Sequence, residues 1–428
     1  MSVRLGAEIL FWGSIGAFIY TYLGYPLLLA LVSRIRPRGV QRASTDDNWT
    51  PTVSIIITAY NEERDLPAKL ENTLQLDYPR DKLELIVASD CSADRTDAIV
   101  RDFAARVGDS FQVRLHRQVE RLGKTAAQNA AVELAKGDII LFSDATTLYQ
   151  PNVLRVMVRD FADASVGCVA GRLLYVDPAQ SNVGQGAKSY WGYETFLKEC
   201  ESKIGSLIGV SGCLYAVRRS AYVPLPNEAC SDFIIATIMV EQKLRAIYEP
   251  EAICTEETNQ RTKKELQMRV RIITQTFSDL WRHRAMLNPL RSGFYAVQLL
   301  SHKVLRYLVP VFMILILLAS IPLALHSAFY ALVLGLQVCF YLMATAGWLL
   351  EKVGKRNPLL ALPQYFVLAN LASLIAFGKF LSGERYARWD TAREPIINPA
   401  LTPAPGTLTA SPATTTAIAH TGETSDGA

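Results

Sequence analysis

Three long stretches without Asp, Glu, Lys or Arg decide the broad class of this chain before any motif is read. Residues 9–33 carry no charge. At about 1.5 Å of rise per residue, a helix of that length crosses a hydrocarbon core of about 30 Å. A cleaved secretory signal is the alternative reading. Its apolar region is usually only about 7–15 residues and ends at a small-residue cleavage site. This stretch is longer, carries Tyr20, Tyr22 and Tyr25, and runs directly into Arg34, Arg36 and Arg38. It reads as a retained anchor over residues 1–33. Residues 307–350 are uncharged apart from the titratable His326. One helix of that length would cover roughly two bilayers, so a break into two spans is expected near residues 321–327. Residues 357–378 follow Lys352, Lys355 and Arg356 and make a fourth candidate, giving a membrane region over 300–381.

Lys and Arg in short flanks mark the cytoplasmic side. Arg34, Arg36, Arg38 and Arg42 put the end of the first stretch there, and Lys352, Lys355 and Arg356 fall on the same side. Four crossings would leave the C-terminus outside, yet Arg385, Arg388 and Arg393 follow the last stretch. Either that stretch does not cross, or another segment does. The expectation is an inner-membrane protein with its polar part in the cytoplasm.

That polar part, residues 50–288, alternates β-branched runs with helical patterns. Strands are predicted over 53–58, 83–89, 112–115, 138–143 and 166–176, and helices over 124–135 and 151–161. Such alternation points to an α/β domain with a mainly parallel sheet. Ligands bind beyond the carboxyl ends of such strands. Residues 262–281 form a basic amphipathic helix with Lys263, Lys264, Arg269 and Arg271, of the kind that lies on a membrane surface. Residues 397–428, rich in Thr, Ala, Pro and Gly, are expected to be disordered. A net charge of +4 without a basic tract gives no reason to expect a nucleic-acid partner. The seven Cys form no CxxC pair, which fits a reducing compartment and no zinc cage.

The chemistry-bearing residues stand at the predicted strand ends. The first ends in Thr58, Tyr60 and Glu62, and the second in Asp90, with Ser92 or Asp94 placed to cap the next helix. Gly123-Lys124 opens a helix that carries Asn129 one turn on. A Lys at a helix N-terminus opposes the dipole, so an anionic partner such as a phosphate is expected there. Asp144 ends another strand, where a carboxylate facing a phosphate suits Mg²⁺ or Mn²⁺. Asp232 opens an apolar helix, where its other reading is a simple cap.

Taken in order, these pieces resemble the family 2 glycosyltransferases, above all the membrane-embedded group with cellulose, chitin, hyaluronan and poly-N-acetylglucosamine synthases. The run from Val53 to Glu62 is similar to the family's opening strand and nucleotide loop, and Ser89 to Thr96 to its Asp-Gly-Ser-x-Asp-x-Thr element. Gly123 to Asn129 resembles the element near the diphosphate, Asp144-Ala145-Thr146 the Asp-x-Asp metal motif, and Gly212 to Arg219 the acceptor-side loop. Ser231-Asp232 stands where the family has Glu-Asp, whose Asp is the catalytic base.

The resemblance implies a GT-A type nucleotide-sugar-binding domain flanked by transmembrane helices. It implies a uridine diphosphate sugar donor contacted by Thr58, Tyr60, Glu62, Asp90, Lys124, Asn129 and Asp144, with Asp144 on the metal. Asp232 would be the base of an inverting transfer. Ser211, Gly212, Cys213, Arg269 and Arg271 would lie on the side of a glycan or lipid-linked acceptor, reached at the membrane lipids. Two positions depart from the pattern. Thr146 replaces the second metal Asp, and a neutral hydroxyl is a weaker ligand for a hard cation. Ile272 follows Arg271 where the Gln-x-x-Arg-Trp motif of processive synthases has Trp. A single sugar addition is therefore expected, against two rivals: a processive synthase that extrudes its polymer, and a non-catalytic nucleotide-sugar-binding membrane protein.

Overall fold

The computed structural model describes residues 3–44, 49–176, 182–257, 262–355 and 357–388. The expected disordered tail, Arg356 and Arg393 lie outside these residues. The first apolar stretch is α1 (Val3–Ile19), a π-helical turn (Tyr20–Gly24) and α2 (Tyr25–Ile35). Next come β1 (Val53–Ala59), α3 (Leu66–Leu74), β2 (Leu83–Ser89), α4 (Thr96–Val107), β3 (Gln112–Arg117), α5 (Lys124–Leu134) and β4 (Ile139–Asp144). β5 (Leu148–Tyr149), α6 (Val153–Arg159), β6 (Val166–Val176), α7 (Asn182–Ile204), β7 (Leu214–Arg218), α8 (Ser231–Glu241), β8 (Arg245–Glu257) and α9 (Thr262–Arg282) follow. Two short helices, α10 (Pro289–Ser292) and α11 (Phe294–Leu299), lead through a π-helical turn (Leu300–Leu305) into α12 (Arg306–Ala324), α13 (Ala328–Lys352) and α14 (Pro358–Leu381).

The eight strands form one sheet in the order β3-β2-β1-β4-β7-β6-β8-β5. β3, β2, β1 and β4 are mutually parallel. β7 is antiparallel to both of its neighbours, β4 and β6, while β6 and β8 pair in parallel. Leu214–Arg218, read from the sequence as part of a loop, is thus a central strand, buried from Leu214 to Val217. β1 and β2 are buried at every position, as continuous apolar strands covered on both faces must be. Val53, Ile55 and Ile57 face one core with Leu66, Val100 and Phe161, and Ile56 faces the other with Ala127, Ala131 and Ile234. Because β1 and β4 run in register with Thr58 opposite Asp144, the ends of the parallel strands share one rim.

Four helical stretches, Arg4–Ile35, Phe294–Ala324, Ala328–Lys352 and Pro358–Leu381, are long and apolar enough to cross a membrane. The break between α12 and α13 falls at residues 325–327, inside the expected interval. The fourth stretch differs from the third in burial: half of its most apolar window is buried, against 6% for α13. α14 packs along α9 from end to end. At the start, Thr262 and Gln364 both bond Glu351. In the middle, Val270 and Ile273 pack on Ala372 and Ala376. At the finish, Phe277 meets Phe380, and Gln275 donates to the Tyr386 carbonyl at 2.7 Å. The first stretch is locked to the globular part through Tyr25, whose hydroxyl donates to Glu201 at 2.8 Å, while His302 binds the same carboxylate at 2.7 Å.

Candidate active site

The site starts from the turn after β2. Asp90 is fully buried, and its two carboxylate oxygens accept the backbone N–H groups of Leu122 (2.8 Å) and Gly123 (3.0 Å). Its role in this geometry is to hold the loop that opens α5, rather than to stand open to a ligand. Gly123 has φ +104°, a conformation that suits glycine, and a Cβ there would collide with the Ala387 carbonyl. Asp94 caps α4 by accepting from the Thr96 N–H at 2.9 Å, and its other oxygen accepts the Glu63 N–H at 3.0 Å. Glu62 donates its own N–H to the Thr96 hydroxyl at 2.8 Å, and the Tyr60 ring lies 3.8 Å beneath the Arg121 guanidinium. The first two strand ends and the loop before α5 are therefore one cross-linked unit.

Lys124, the first residue of α5, reaches across to the end of β4 and pairs with Asp144. The two side chains are 28% and 30% exposed, so the pair is open to a ligand. Burial pulls the Lys124 ammonium down, but the Asp144 and Asp232 carboxylates outweigh it and hold it above the ordinary lysine value. Lys124 thus feels both acids at once. Asp232 sits in the first turn of α8. The Cys230 thiol donates to its Oδ1 at 2.9 Å, and Gly212 lies against its Oδ2, where a Cβ would approach to 3.0 Å. Asp279 of α9 accepts the Cys230 N–H at 2.8 Å and so fixes the start of the helix that carries Asp232. These contacts bring Asp90, Lys124 and Asp144 from three distant segments to one rim, and Asp232 is near enough to raise the Lys124 pKa.

Other expected residues are placed differently. Asn129 faces away from the rim: its amide donates to the Leu225 carbonyl at 2.7 Å and its oxygen accepts from Tyr222 (2.8 Å) and the Leu225 N–H (3.0 Å). It ties down the 222–225 segment, which explains an Asn at that position without a diphosphate. Cys213 is buried in the core with Cys254, their sulfurs 3.8 Å apart. Arg269 is drawn to the seam between α9 and α14, paired with Glu265 at 2.8 Å and bonded to Tyr365. Arg271 stands half-buried on the same helix. Ser211 is buried and accepts from Lys198 at 2.7 Å.

Sequence reasoning missed Glu256, Lys198, Asp279 and Lys69. Glu256 lies near the end of β8 and accepts from the Thr146 hydroxyl at 2.9 Å, so a carboxylate does stand beside the position that lacks the second metal Asp. Lys69 is wholly buried over the Tyr149 ring, 3.2 Å from its centre, and its ammonium has no hydrogen-bond partner. Burial is the main reason its pKa falls to about 7. A lysine on the buried face of α3, in Leu66-Pro-Ala-Lys69-Leu70, was the available signal.

The Glycosyl transferase family 2 profile matches residues 54–223, the segment that builds most of this rim. The chain carries a family 2 glycosyltransferase domain. It is 26% identical over 273 residues to an N-acetylglucosaminyltransferase of Rhizobium sp. (strain N33), covering 60% of this chain and 59% of that protein. It is 27% identical over 222 residues to a beta-monoglucosyldiacylglycerol synthase of Trichormus variabilis, covering 51% and 46%. It therefore spans less than two thirds of these relatives. Among solved structures, the mannosyltransferase PcManGT from Pyrobaculum calidifontis, in complex with GDP-Man and Mn²⁺, aligns over 88% of this chain and 99% of its own. That match, with TM-score 0.68 and 24% identity, shows the GT-A fold.

Proposed function

We propose that this protein is an inverting membrane glycosyltransferase that moves one sugar from a nucleoside diphosphate donor, uridine diphosphate by family resemblance, to a glycan or lipid-linked acceptor. The observation that carries the reading is Lys124 paired with Asp144 at the end of β4, with the Asp232 carboxylate near enough to help hold it charged. It puts a fixed positive charge where a leaving diphosphate needs one, beside a carboxylate that can serve as base. Asp232 accepts the acceptor hydroxyl's proton as that oxygen bonds to the anomeric carbon. The bond from that carbon to the diphosphate breaks on the opposite side, and configuration inverts. Lys124 stays charged and stabilises the departing phosphate oxygens. Gly212, lacking a side chain, leaves the Asp232 carboxylate room to meet the acceptor.

A divalent cation fits the oxygen set at the β4 end. Asp144 is half-exposed there, the Thr146 hydroxyl is backed by Glu256, and the Thr58 hydroxyl opposite Asp144 is buried without a hydrogen-bond partner. Mg²⁺ or Mn²⁺ held by Asp144, with Thr146 and Glu256 beside it, would neutralise charge on the diphosphate. Ile272 packs against the core beside α8 instead of presenting a Trp to a polymer, which favours single addition over processive synthesis.

For the membrane, we infer three crossings and one helix in the plane. α9 carries Lys263, Lys264, Glu265, Arg269, Arg271, Asp279 and Arg282 and cannot span hydrocarbon. α14 follows it from end to end, which supports both lying at the cytoplasmic interface. Arg36, Lys355 and Arg385 then all fall on the cytoplasmic side of the inner membrane, and the conflict in the basic flanks disappears.

The test is transfer from a panel of labelled nucleotide sugars by the full-length protein in lipid nanodiscs. Asp232→Asn is expected to lower kcat by about 10²–10⁴-fold with nucleotide affinity retained. Full turnover by that variant removes Asp232 as base. A rate indifferent to chelation removes the cation.

A further inference from the structure

The helix α9 has two faces of opposite character. Asp279 and Arg282 turn to the catalytic domain, where Asp279 accepts the Cys230 N–H at 2.8 Å and Arg282 pairs with Glu228 at 2.6 Å. Leu266, Val270, Ile273, Phe277 and Trp281 recur every three or four residues on the other side. The first four are covered, by Ala372 and Ala376 of α14 and by Tyr307 at the start of α12. α14 ends at Leu381, level with Phe277, which meets Phe380 with 5.7 Å between ring centres. Trp281 is the next turn of the same stripe, past the end of its cover, and is 63% exposed.

The turn after Trp281 keeps this character. His283 faces the domain and pairs with Glu241 at 3.0 Å. Arg284 lies 5.3 Å from the centre of the Trp281 ring and donates to the Trp281 carbonyl at 3.3 Å. Met286 is buried, and its carbonyl accepts from the Ser292 hydroxyl at 2.7 Å, which fixes the turn. Leu290 stands 97% exposed beside exposed Arg291. Among the described residues, neither Arg284 nor Arg291 pairs with a carboxylate. The chain then enters the apolar stretch that starts at Phe294. Trp and Leu exposed beside arginines, where a helix enters hydrocarbon, suit the boundary between acyl chains and headgroups. The neighbouring α14 exposes Leu371, Leu374 and Leu381.

Resting on the reading that α9 and α14 lie at the cytoplasmic face of the membrane, we propose that Trp281 and Leu290 seat this turn in that leaflet and that Arg284 and Arg291 bind the phosphates of anionic phospholipids there. The lipid is a docking surface here, not the acceptor. Asp279, on the opposite face of α9, holds the start of the helix that carries Asp232, so the seating of α9 sets how far the catalytic rim stands from the bilayer.

The experiment uses the full-length protein in nanodiscs, with phospholipids brominated along their acyl chains or aqueous iodide as quenchers of tryptophan emission. The emission that Trp281→Phe removes is expected to be quenched by brominated lipid and spared by iodide. The emission that Leu371→Trp adds reports α14 in the same way. Iodide quenching of Trp281, with Leu371→Trp quenched by brominated lipid, overturns the proposal and leaves the interfacial helices standing. Iodide quenching of both overturns the interfacial reading as well. With the brominated lipid as a minor component of a phosphatidylcholine bilayer, brominated phosphatidylglycerol is expected to associate at Trp281 about fivefold or more over brominated phosphatidylcholine. Arg284→Gln combined with Arg291→Gln should bring that preference close to one, and Lys at both positions should keep it. Equal quenching by the two headgroups in the wild type, or a preference unmoved in the Gln variant, overturns the proposal.

Discussion

Single side chains at this site divide into those that hold the loops and those left facing the cleft. Asp90 and Asn129 spend their hydrogen bonds on the chain itself, whereas Lys124, Asp144 and Asp232 remain partly exposed at the rim. Lys69 belongs to neither group. Its ammonium is buried with only the Tyr149 ring beneath it, and its pKa is lowered to about 7 from 10.5. Between those values the folded protein holds a neutral lysine and the unfolded chain a charged one, so the unfolded state binds the extra proton. Stability must then rise as pH goes from about 7 to 10 and be lost as pH falls through 7. The Lys69→Met variant is expected to abolish that rise, measured as apparent Tm in nanodiscs across this range. A profile identical to wild type would mean that Lys69 is not buried as described.

At the scale of elements, the catalytic reading depends on how α8 begins. Its first turn carries Asp232, and the Cys230 N–H there is satisfied by Asp279 from α9 rather than by a local cap. Burial is the largest cause that raises the Asp279 pKa, to about 7, although the Cys230 N–H and Arg282 pull it down. A raised carboxyl works in the opposite sense to Lys69: its stabilisation is full below about 3.8 and lost as pH climbs through 7. The predicted consequence is a fall in apparent Tm of roughly 3–8 °C between pH 5 and 8. Asp279→Asn keeps an acceptor for the Cys230 N–H without the charge, so it should flatten that limb while leaving α8 in place. A steeper fall in the variant would assign the pH response to another group.

For the whole molecule, the question is where the bilayer ends. Glu351, Thr262 and Gln364 join the starts of α9 and α14 to the end of α13, and Gln275 joins their far ends through Tyr386. A helix tied along its length to a charged neighbour has both ends on that neighbour's side. Single cysteines at Arg36, Ser327 and Arg388, in a background without the native thiols, test this. With an impermeant maleimide on intact cells, only the Ser327 position is expected to react. The Arg36 and Arg388 positions should react after permeabilisation. Labelling of the Arg388 position in intact cells would restore a fourth crossing.

Much of this was legible in the chain itself. The uncharged stretches, the strand runs of β2 and β6, and the order of the motifs are local patterns, because hydropathy, side-chain period and capping act over a few residues. The break between α12 and α13 followed from length alone. What the sequence could not supply were pairings made at long range. Glu256 beside Thr146, Asp279 beneath Cys230, Lys198 against Ser211, and β7 as a central antiparallel strand all join segments that no local rule connects. The direction of α14 was hidden for the same reason. Its composition satisfies a membrane span, and only the packing of a charged helix along its whole length decides that it lies beside the catalytic domain.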